Sequence, residues 1–529
     1  MKKILSILAV LGVMAVAANL RLNRLDERVT WYWGDCSRTV EVAKYITETQ
    51  QFGLKILPPS RAGAYKSIIH SSPVYYDFVS ILWFFFRSPQ SIFYFYAIIS
   101  VISVWLSYKL TKMVGGLRVA LLVSILMTIN TQMIVTAWSL LQPRLMVFFI
   151  LTLLIFGWMT YKNKSIKWLS GYFMVMFLGC HFHFSFLAIL PIAVFWGGYF
   201  YYLVIKSYKN KKWKLGFPLI SFLTSLGIWM YCTVDVLTLF KADSFGVFQK
   251  MVGGQWFTNV GRNIYELFAN LWRIEESLLV VPLMVLFVTI GIYLVVKNRE
   301  KKSGFALGFI FSWLLGLLLT GSYGDAFNRY YLSVYYPILF ISMGLMIELL
   351  FKDKFKIIMM CLLIGYLGWG EYKHQKTTNF WTLRGEFGLA ESVSKQISDD
   401  YIKMGGEMKD FGKRVILMHA FDKSDNYAYA TQSFWYFLEK SSGTLLQRLS
   451  FNGDNFDSLS EEKPDWYYFV CSEFGGLEEG GCDKFKTLFS TLTYKLVYSE
   501  KSQIGNYYIY RFTKNDNPNP LLHPQYKNK

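Results

Sequence analysis

The sequence predicts an all-α polytopic membrane bundle of about 11 transmembrane helices with a C-terminal extracytoplasmic α/β domain. Three observations lead to this prediction. Of the 529 residues, 53% are hydrophobic and only 17% are charged, whereas roughly 25% are charged in ordinary soluble domains. The apolar residues gather in runs of about 16–22, the length that crosses a bilayer. The basic residues gather in short loops between those runs.

The positive charge of the chain is concentrated in five loops. Together with Lys2 and Lys3, these loops hold 20 basic and two acidic residues, nearly the whole net charge of +19. Basic loops mark the cytoplasmic side of a membrane, so the positive charge indicates how the chain is oriented in the membrane. Little basic surface remains for nucleic acid, and we expect no such partner. The loops are Lys109–Arg118, Lys162–Lys167, Lys206–Lys214, Lys297–Lys302 and Lys352–Lys356.

The loops also predict the orientation of the chain. With Lys2 and Lys3 inside, eleven crossings place every basic loop in the cytoplasm and the C-terminus outside. We therefore expect a multi-pass protein of the plasma (inner) membrane. The first run is either a retained anchor or a cleaved signal peptide. The predicted spans lie near 4–20, 91–108, 119–136, 145–160, 168–180, 184–205, 215–234, 278–296, 303–320, 331–350 and 356–370.

Two regions are expected outside the cytoplasm besides the loop near 235–277. The first, 21–90, contains an aromatic stretch from Ser72 to Phe86, which is short for a span and includes Asp77, so it predicts an interfacial helix. The second is a soluble tail, 371–529, long enough for a domain of its own. The predicted domains are therefore a transmembrane domain, 1–370, and an extracytoplasmic α/β domain, 371–529.

Short alternating runs predict strands in the tail, and one amphipathic run predicts a helix over 427–440. The strands are expected at 414–419, 466–471, 495–499 and 506–512. Cys471 and Cys482 share this external tail, where a disulfide can persist; a disulfide and two free thiols are both open.

Polar residues gather at the predicted outer mouth of the bundle. No predicted span carries an ionisable residue near its centre, which disfavours a proton-coupled pump or secondary transporter. A site at the mouth suits a substrate with its apolar part in the bilayer and its polar head outside. The residues concerned are Asp35, Arg38, Glu41, Lys66, His70, Arg144, His181, His183, Asp325 and Arg329.

Asp35 is the foremost catalytic candidate. It follows Trp33-Gly34, which ends an irregular stretch, and precedes an amphipathic helix from Ser37 onward. This position suits an N-cap or near-cap carboxylate. The same carboxylate, held at the membrane surface, suits a general base. Both readings stay open from the residues alone.

Several motifs together resemble the GT-C superfamily of membrane glycosyltransferases, which includes protein O-mannosyltransferases and lipid A aminoarabinose transferases. An acidic residue soon after the first span precedes an amphipathic helix, and His70-Ser71-Ser72-Pro73-Val74-Tyr75-Tyr76 is similar to the family's His-Pro-Pro-Leu-Tyr-Tyr segment. Ser88-Pro89 matches a Gly-Ser-Pro junction, and Asn328-Arg329-Tyr330-Tyr331 with Pro337 resembles an Arg-Tyr…Pro pattern. Cys36, where the family often has Glu, and Ser71-Ser72 depart from the pattern.

The resemblance implies sugar transfer from a polyprenyl-phosphate donor to a glycan, lipid or protein acceptor among membrane lipids on the extracytoplasmic face. Asp35 would then be the general base, since a phosphate leaves without a strong acid and one carboxylate suffices. Arginine suits the leaving phosphate by its forked geometry. The candidates for substrate binding are Arg329 with Tyr330, and Lys66, Arg144 and His70; the cations could equally be interfacial anchors, and His70 a cap.

The two histidines His181 and His183 have three readings: metal ligands, substrate hydrogen-bonding groups, or structural polar residues. No acidic pair accompanies them, so no cofactor is implied with certainty and a divalent metal ion remains an alternative. Two other functions also remain open. One is an O-antigen polymerase- or ligase-like enzyme acting on lipid-diphosphate glycans. The other is a non-enzymatic lipid-glycan flippase.

Overall fold

The computed structural model of the chain is mainly α-helical, with a mixed sheet near the C-terminus. Two compact units divide the chain: the first comprises Met1–Leu25 and Ala43–Leu383, the second Asp26–Val42 and Arg384–Lys529. The structure describes residues 2–29, 34–53, 73–138, 140, 142–183, 186, 188–208, 216–233, 256–273, 277–320, 329–377, 386–421, 437–438, 440–443, 447–452, 466–472, 494–501 and 507–514.

Among the residues that the structure describes before Arg384 there are sixteen α-helices and three short 3-10 helices. The 3-10 helices are Gln142–Leu145, Ser312–Leu315 and Arg329–Val334. The α-helices are α1 Lys2–Leu22, α2 Leu25–Arg28, α3 Gly34–Thr49, α4 Pro73–Phe86, α5 Pro89–Ile129, α6 Thr131–Val135, α7 Met146–Asn163, α8 Ile166–Phe182, α9 Leu190–Ser207, α10 Gly216–Thr233, α11 Trp256–Trp272, α12 Ser277–Lys297, α13 Lys302–Phe311, α14 Gly316–Thr320, α15 Tyr335–Leu350 and α16 Asp353–Thr377.

Helix α1 packs along α5 and is fastened there by a buried arginine. The Arg21 guanidinium donates to the Met127 carbonyl oxygen at 2.8 Å and to the Ser100 hydroxyl at 2.9 Å. Met127 lies in the last turn of α5, where carbonyl groups lack partners within the helix and carry the negative end of its dipole. The Arg21 side chain of α1 therefore supplies a hydrogen-bond donor to a carbonyl group in the last turn of α5.

Helix α5 joins two predicted spans across a single break. Ser88 caps its start, accepting from the Gln90 amide at 3.2 Å. Gly116, with φ 85° and ψ −176°, interrupts the helix in a region open to glycine. The predicted loop Lys109–Arg118 is therefore mostly helical, because only its glycine pair disfavours a helix.

Close packing between α5 and α15 depends on glycines of both helices. A Cβ atom at Gly344 would lie 2.7 Å from Val119 Cγ1, and one at Gly115 would lie 2.8 Å from Leu345 Cδ2. Both separations are too short for a side chain to fit without movement. The backbone of each helix consequently lies against side chains of the other, next to the break in α5 at Gly116.

Aromatic side chains fill the core between α9 and α13. Trp196 and Phe309 have ring centroids 4.9 Å apart, and Phe200 packs against both. The Trp196 indole also donates to the Ser312 hydroxyl at 2.8 Å. Part of the large number of aromatic residues in the chain therefore lies in this packed core.

The prediction of a mainly helical membrane protein is confirmed. Helices occupy all eleven predicted span positions, but six elements of the described chain are long and apolar enough to cross a membrane. The count of eleven stays a prediction. One boundary differs: the last span was expected to end at 370, whereas α16 continues to Thr377. The six elements are Ile4–Leu22, Pro89–Ile129, Met146–Asn163, Leu279–Lys297, Leu332–Leu350 and Asp353–Thr377.

The second unit contains a five-stranded mixed sheet of order β2-β1-β3-β5-β4. Strand β1 pairs in parallel with β2 and β3, and β5 pairs antiparallel with β3 and β4. Two helices, α17 Glu386–Lys403 and α18 Phe411–Arg414, precede the sheet. The strands are β1 Val415–Phe421, β2 Gln447–Asn452, β3 Trp466–Ser472, β4 Tyr494–Lys501 and β5 Tyr507–Lys514.

Four of these strands coincide with the four predicted ones, and β2 was missed because its run Gln-Arg-Leu-Ser-Phe-Asn has few apolar residues. The predicted helix over 427–440 lies outside the described residues except at 437–438 and 440, where the chain is helical. Cys482 also lies outside them. The extracytoplasmic position of this unit, and the domain boundary at 370, stay predictions.

Asp400 links α17 to the sheet within this unit. Its Oδ2 atom accepts from the Tyr468 hydroxyl at 2.5 Å and from Arg511 Nη1 at 2.6 Å. Tyr468 and Arg511 are register partners on β3 and β5. Burial and the bond to Asp400 raise the pKa of Tyr468 well above its ordinary value.

Candidate functional site

The predicted site residues fall into three groups. The side chains of Arg144, His181 and His183 are described, and all three belong to the first unit. Asp35, Arg329 and Tyr330 are placed by their helices alone. Lys66 and His70 lie outside the described residues.

Asp35 is the second residue of α3, since the helix begins at Gly34 rather than at Ser37. It therefore occupies the first turn, in agreement with the expected near-cap position. A carboxylate in a first turn is stabilised by the positive end of the helix dipole. Whether it acts as a base is the subject of the proposal below.

The far end of α3 is fastened to α4. The Thr47 hydroxyl donates to the Ser80 carbonyl oxygen at 3.1 Å, and the Gly53 amide donates to the Asp77 carboxylate at 3.1 and 3.2 Å. Partial burial raises the pKa of Asp77, and the Gly53 amide opposes that shift. Asp77, expected as a charge tolerated on an interfacial helix, thus holds the chain that leaves α3.

The two histidines adopt different backbone conformations. His181 lies in the last turn of α8, whereas His183 caps this helix in extended conformation and its amide donates to the Gly179 carbonyl oxygen. Both are buried, and Phe182 between them packs against the Tyr75 ring. Burial lowers the pKa of His183 to about 3, so its imidazole is neutral. Among the described residues no cluster of three His, Cys, Asp or Glu side chains could hold a metal ion.

Arg144 and Arg329 come from two adjacent short helices. The 3-10 helix Gln142–Leu145 carries Arg144 and lies against the 3-10 helix Arg329–Val334, which begins with Arg329 and Tyr330. The latter helix also contacts α11. The fold therefore brings together two segments that are far apart in sequence and that carry three predicted substrate-binding residues.

The Tyr336 side chain is buried. Four charged residues act electrostatically on it: Arg144, Arg273, Glu266 and Glu371. We call these five residues the Tyr336 cluster.

Glu371 is the most densely hydrogen-bonded member of the Tyr336 cluster. Its Oε1 accepts from Asn130 Nδ2 at 2.6 Å. Its Oε2 accepts from the Thr131 amide at 3.0 Å, from the Thr131 hydroxyl at 2.5 Å and from Arg273 Nη2 at 2.8 Å. Four donor groups therefore hold the Glu371 side chain in its buried position.

Sequence reasoning did not select Glu266, Arg273 or Glu371. Arg273 lies in the predicted external loop near 235–277, and Glu371 lies one residue beyond the predicted last span, which ends at 370. The available signal for Glu371 was the absence of any helix breaker between the apolar run and Thr377. For Glu266 it was the amphipathic pattern of α11.

This arrangement can hold an anion against an apolar bundle. Guanidinium groups bind phosphate through directed, charge-assisted hydrogen bonds. The Tyr336 cluster provides two guanidinium groups, and the helix bearing Arg329 adjoins it through the Arg144 segment. Two carboxylates balance these charges, so the cluster does not itself carry a large excess of either sign.

The fold is similar to that of two solved structures of ArnT. The structure of ArnT from Cupriavidus metallidurans bound to undecaprenyl phosphate superposes with a TM-score of 0.54 and 12% identity, covering 95% of this chain and 97% of that one. The structure of ArnT in the apo state superposes with a TM-score of 0.51 and 11% identity, covering 96% of this chain and 97% of that one. These values show that the chain has the same fold as ArnT.

The archaeal oligosaccharyltransferase AglB from Archaeoglobus fulgidus gives a TM-score of 0.49 at 11% identity, covering 98% of this chain and 75% of that one. The fold assignment uses the ArnT structures alone. No protein-family model matches the sequence, and no curated protein matches it either.

Proposed function

We propose that this protein is an integral membrane glycosyltransferase that moves a sugar from a polyprenyl-phosphate donor to an envelope glycan, lipid or protein acceptor. The observation that carries the proposal is the similarity of almost the whole chain to an ArnT structure that holds undecaprenyl phosphate. The basic residues in short loops support an extracytoplasmic active site.

Asp35 is the proposed general base. Its carboxylate takes the proton of the acceptor hydroxyl while the acceptor oxygen attacks the anomeric carbon of the donor. The bond between that carbon and the phosphate oxygen breaks, and its electron pair stays on the departing polyprenyl phosphate. The proton remains on Asp35 until solvent removes it. Orientation of the acceptor beside the carboxylate supplies much of the rate.

Arg144, Arg329 and Lys66 are proposed to bind the donor phosphate. The adjacency of the helices bearing Arg144 and Arg329 supports the assignment for these two. Tyr330, His70, His181 and His183 are proposed to contact the polar part of the substrates. The neutral imidazole of His183 can donate or accept a hydrogen bond without adding charge.

The function is tested by genetic complementation. A strain lacking this protein is expected to lack one envelope glycan or glycan modification, which the wild-type chain restores. The Asp35→Asn variant should not restore it at equal membrane abundance. The matched control is Glu48→Gln, an exposed carboxylate of the same helix. Full restoration by Asp35→Asn would show that Asp35 is not the base, and an unchanged glycan profile in the deletion strain would contradict the proposed function.

A further inference from the structure

Arg273 is held in place almost entirely by α16. Its guanidinium meets Glu371 at 2.8 Å, and its side chain is only 10% exposed. A Cβ atom at Gly370 would lie 3.2 Å from Arg273 Cβ, so the arginine stem rests on the α16 backbone. The Tyr366 hydroxyl also donates to the carbonyl oxygen of Trp272, at the end of α11. The arginine therefore has little freedom to leave its partner.

Glu371 is the counter-ion of Arg273 in this cluster. Besides the arginine, the donors to this carboxylate in the described part of the chain are neutral groups of Asn130 and Thr131. A buried guanidinium without a counter-ion retains its full charge and acts strongly on neighbouring groups, because the surroundings screen it poorly. Removal of the Glu371 charge would thus add about one positive charge to the site.

The charge of the site matters because donor and product differ in charge. A polyprenyl-phosphate sugar is a phosphodiester with one negative charge. The polyprenyl phosphate that leaves is a monoester with about −1.5 to −2 charges at neutral pH. Each added positive charge in the site therefore stabilises the product more than the donor, and slows the release of product.

We propose that Glu371 is a positioning residue that pairs with Arg273 and thereby limits the affinity of the site for the polyprenyl phosphate product. This inference rests on the proposed function. In this proposal the negative charge of Glu371 offsets the positive charge of Arg273 within the Tyr336 cluster. Product release is fast only while the pair is intact.

The test measures binding of undecaprenyl phosphate, and of the neutral alcohol undecaprenol, to the purified full-length chain in detergent. Glu371→Gln should bind undecaprenyl phosphate roughly tenfold more tightly than the wild type does, because the attraction between the phosphate and the uncompensated, partly screened Arg273 charge is of that order. Its affinity for undecaprenol should not change. A merely structural defect would weaken the binding of both lipids.

Three further variants separate charge from structure. Thr131→Val removes one donor to Glu371 without changing charge and should leave phosphate affinity within about twofold. Arg273→Gln should weaken phosphate binding roughly tenfold. The double variant Glu371→Gln/Arg273→Gln should return to near the wild-type affinity. Glu348→Gln, which removes a carboxylate paired with Lys356 at the other end of α15, is the distant control.

The outcomes distinguish the inference from the proposed function. Absence of undecaprenyl phosphate binding in the wild type would overturn both. Binding in the wild type with an equal or weaker phosphate affinity in Glu371→Gln would overturn the inference and leave the function standing. If Glu371→Gln does not accumulate, the double variant decides: an affinity as weak as that of Arg273→Gln alone would show that charge balance is not the role of Glu371.

Discussion

Arg21 donates to the carbonyl oxygen of Met127 at 2.8 Å and so closes the end of α5 with a cation from α1. Its other described acceptors, including the Ser100 hydroxyl and the Thr128 carbonyl, are neutral as well. A fully buried guanidinium that meets only such groups contributes to stability through directed hydrogen bonds to a helix terminus.

Arg21→Leu is therefore expected to destabilise the protein by about 2–3 kcal/mol, because it leaves buried carbonyl groups without donors. Thermal unfolding of the purified chain in detergent measures the loss. Arg118→Gln is the control, since it breaks a pair with Asp353 whose side chains are 51% and 83% exposed and should cost less than about 1 kcal/mol. Equal losses in both variants would contradict the role of Arg21.

Asp400 should be more important to the second unit than Tyr468. Asp400→Ala leaves Arg511 without its carboxylate and should cost about 3 kcal/mol. Tyr468→Phe removes one hydrogen bond and should cost about 1 kcal/mol. Hydrogen exchange of the β3 amides in the full-length chain reports both changes. Asp399→Asn, an exposed neighbour on the same helix, should have no effect.

Asp77 predicts a pH dependence of stability. Burial raises its pKa in the folded chain above the ordinary value of 3.8, so protonation favours the folded state. The stability of the wild type should therefore fall, relative to Asp77→Asn, as the pH rises from 3.8 through the raised pKa, and the difference should then level off. Melting temperatures across this range test the sign. A wild-type melting temperature that rises relative to that of Asp77→Asn with rising pH would contradict the prediction. Glu48→Gln serves as the exposed control.

The orientation of the chain can be tested in the loop Lys206–Lys214. In a chain whose six native cysteines are replaced by serine, a cysteine replacing Asn210 should be protected from a membrane-impermeant thiol reagent in intact cells, because this basic loop is expected in the cytoplasm. Labelling should occur once the membrane is opened. Labelling in intact cells would reverse the predicted topology and remove Asp35 from the extracytoplasmic face.

Arg144 should contribute directly to anion binding. Arg144→Gln is expected to weaken undecaprenyl phosphate binding by about tenfold or more, the value of one charge-assisted hydrogen bond. Undecaprenol binding should be unchanged. Lys112→Gln, in the middle of α5 and four residues before its break at Gly116, is the control. A loss of affinity for both lipids would indicate damaged packing instead of a lost charge.

The amino-acid sequence by itself determined the elements and the class of the fold. Hydropathy and turn residues act locally, so runs of apolar residues predicted helices at each span position, and alternation predicted four of the five strands. The placement of Asp35 in a first helical turn also followed from its neighbours. The ordered motifs along the first 370 residues resemble those of the GT-C superfamily and so implied the fold that this chain shares with ArnT.

Only the tertiary structure decided which distant residues meet. Glu371 lies 240 positions from Thr131 and 98 from Arg273, yet binds both. No local pattern encodes such pairing, because it depends on how α16, α6 and the end of α11 pack. By position in the sequence, Glu371 belongs to the start of the predicted soluble tail, but this packing buries it and pairs it with Arg273. The tertiary structure also places the segments of Arg144 and Arg329 side by side.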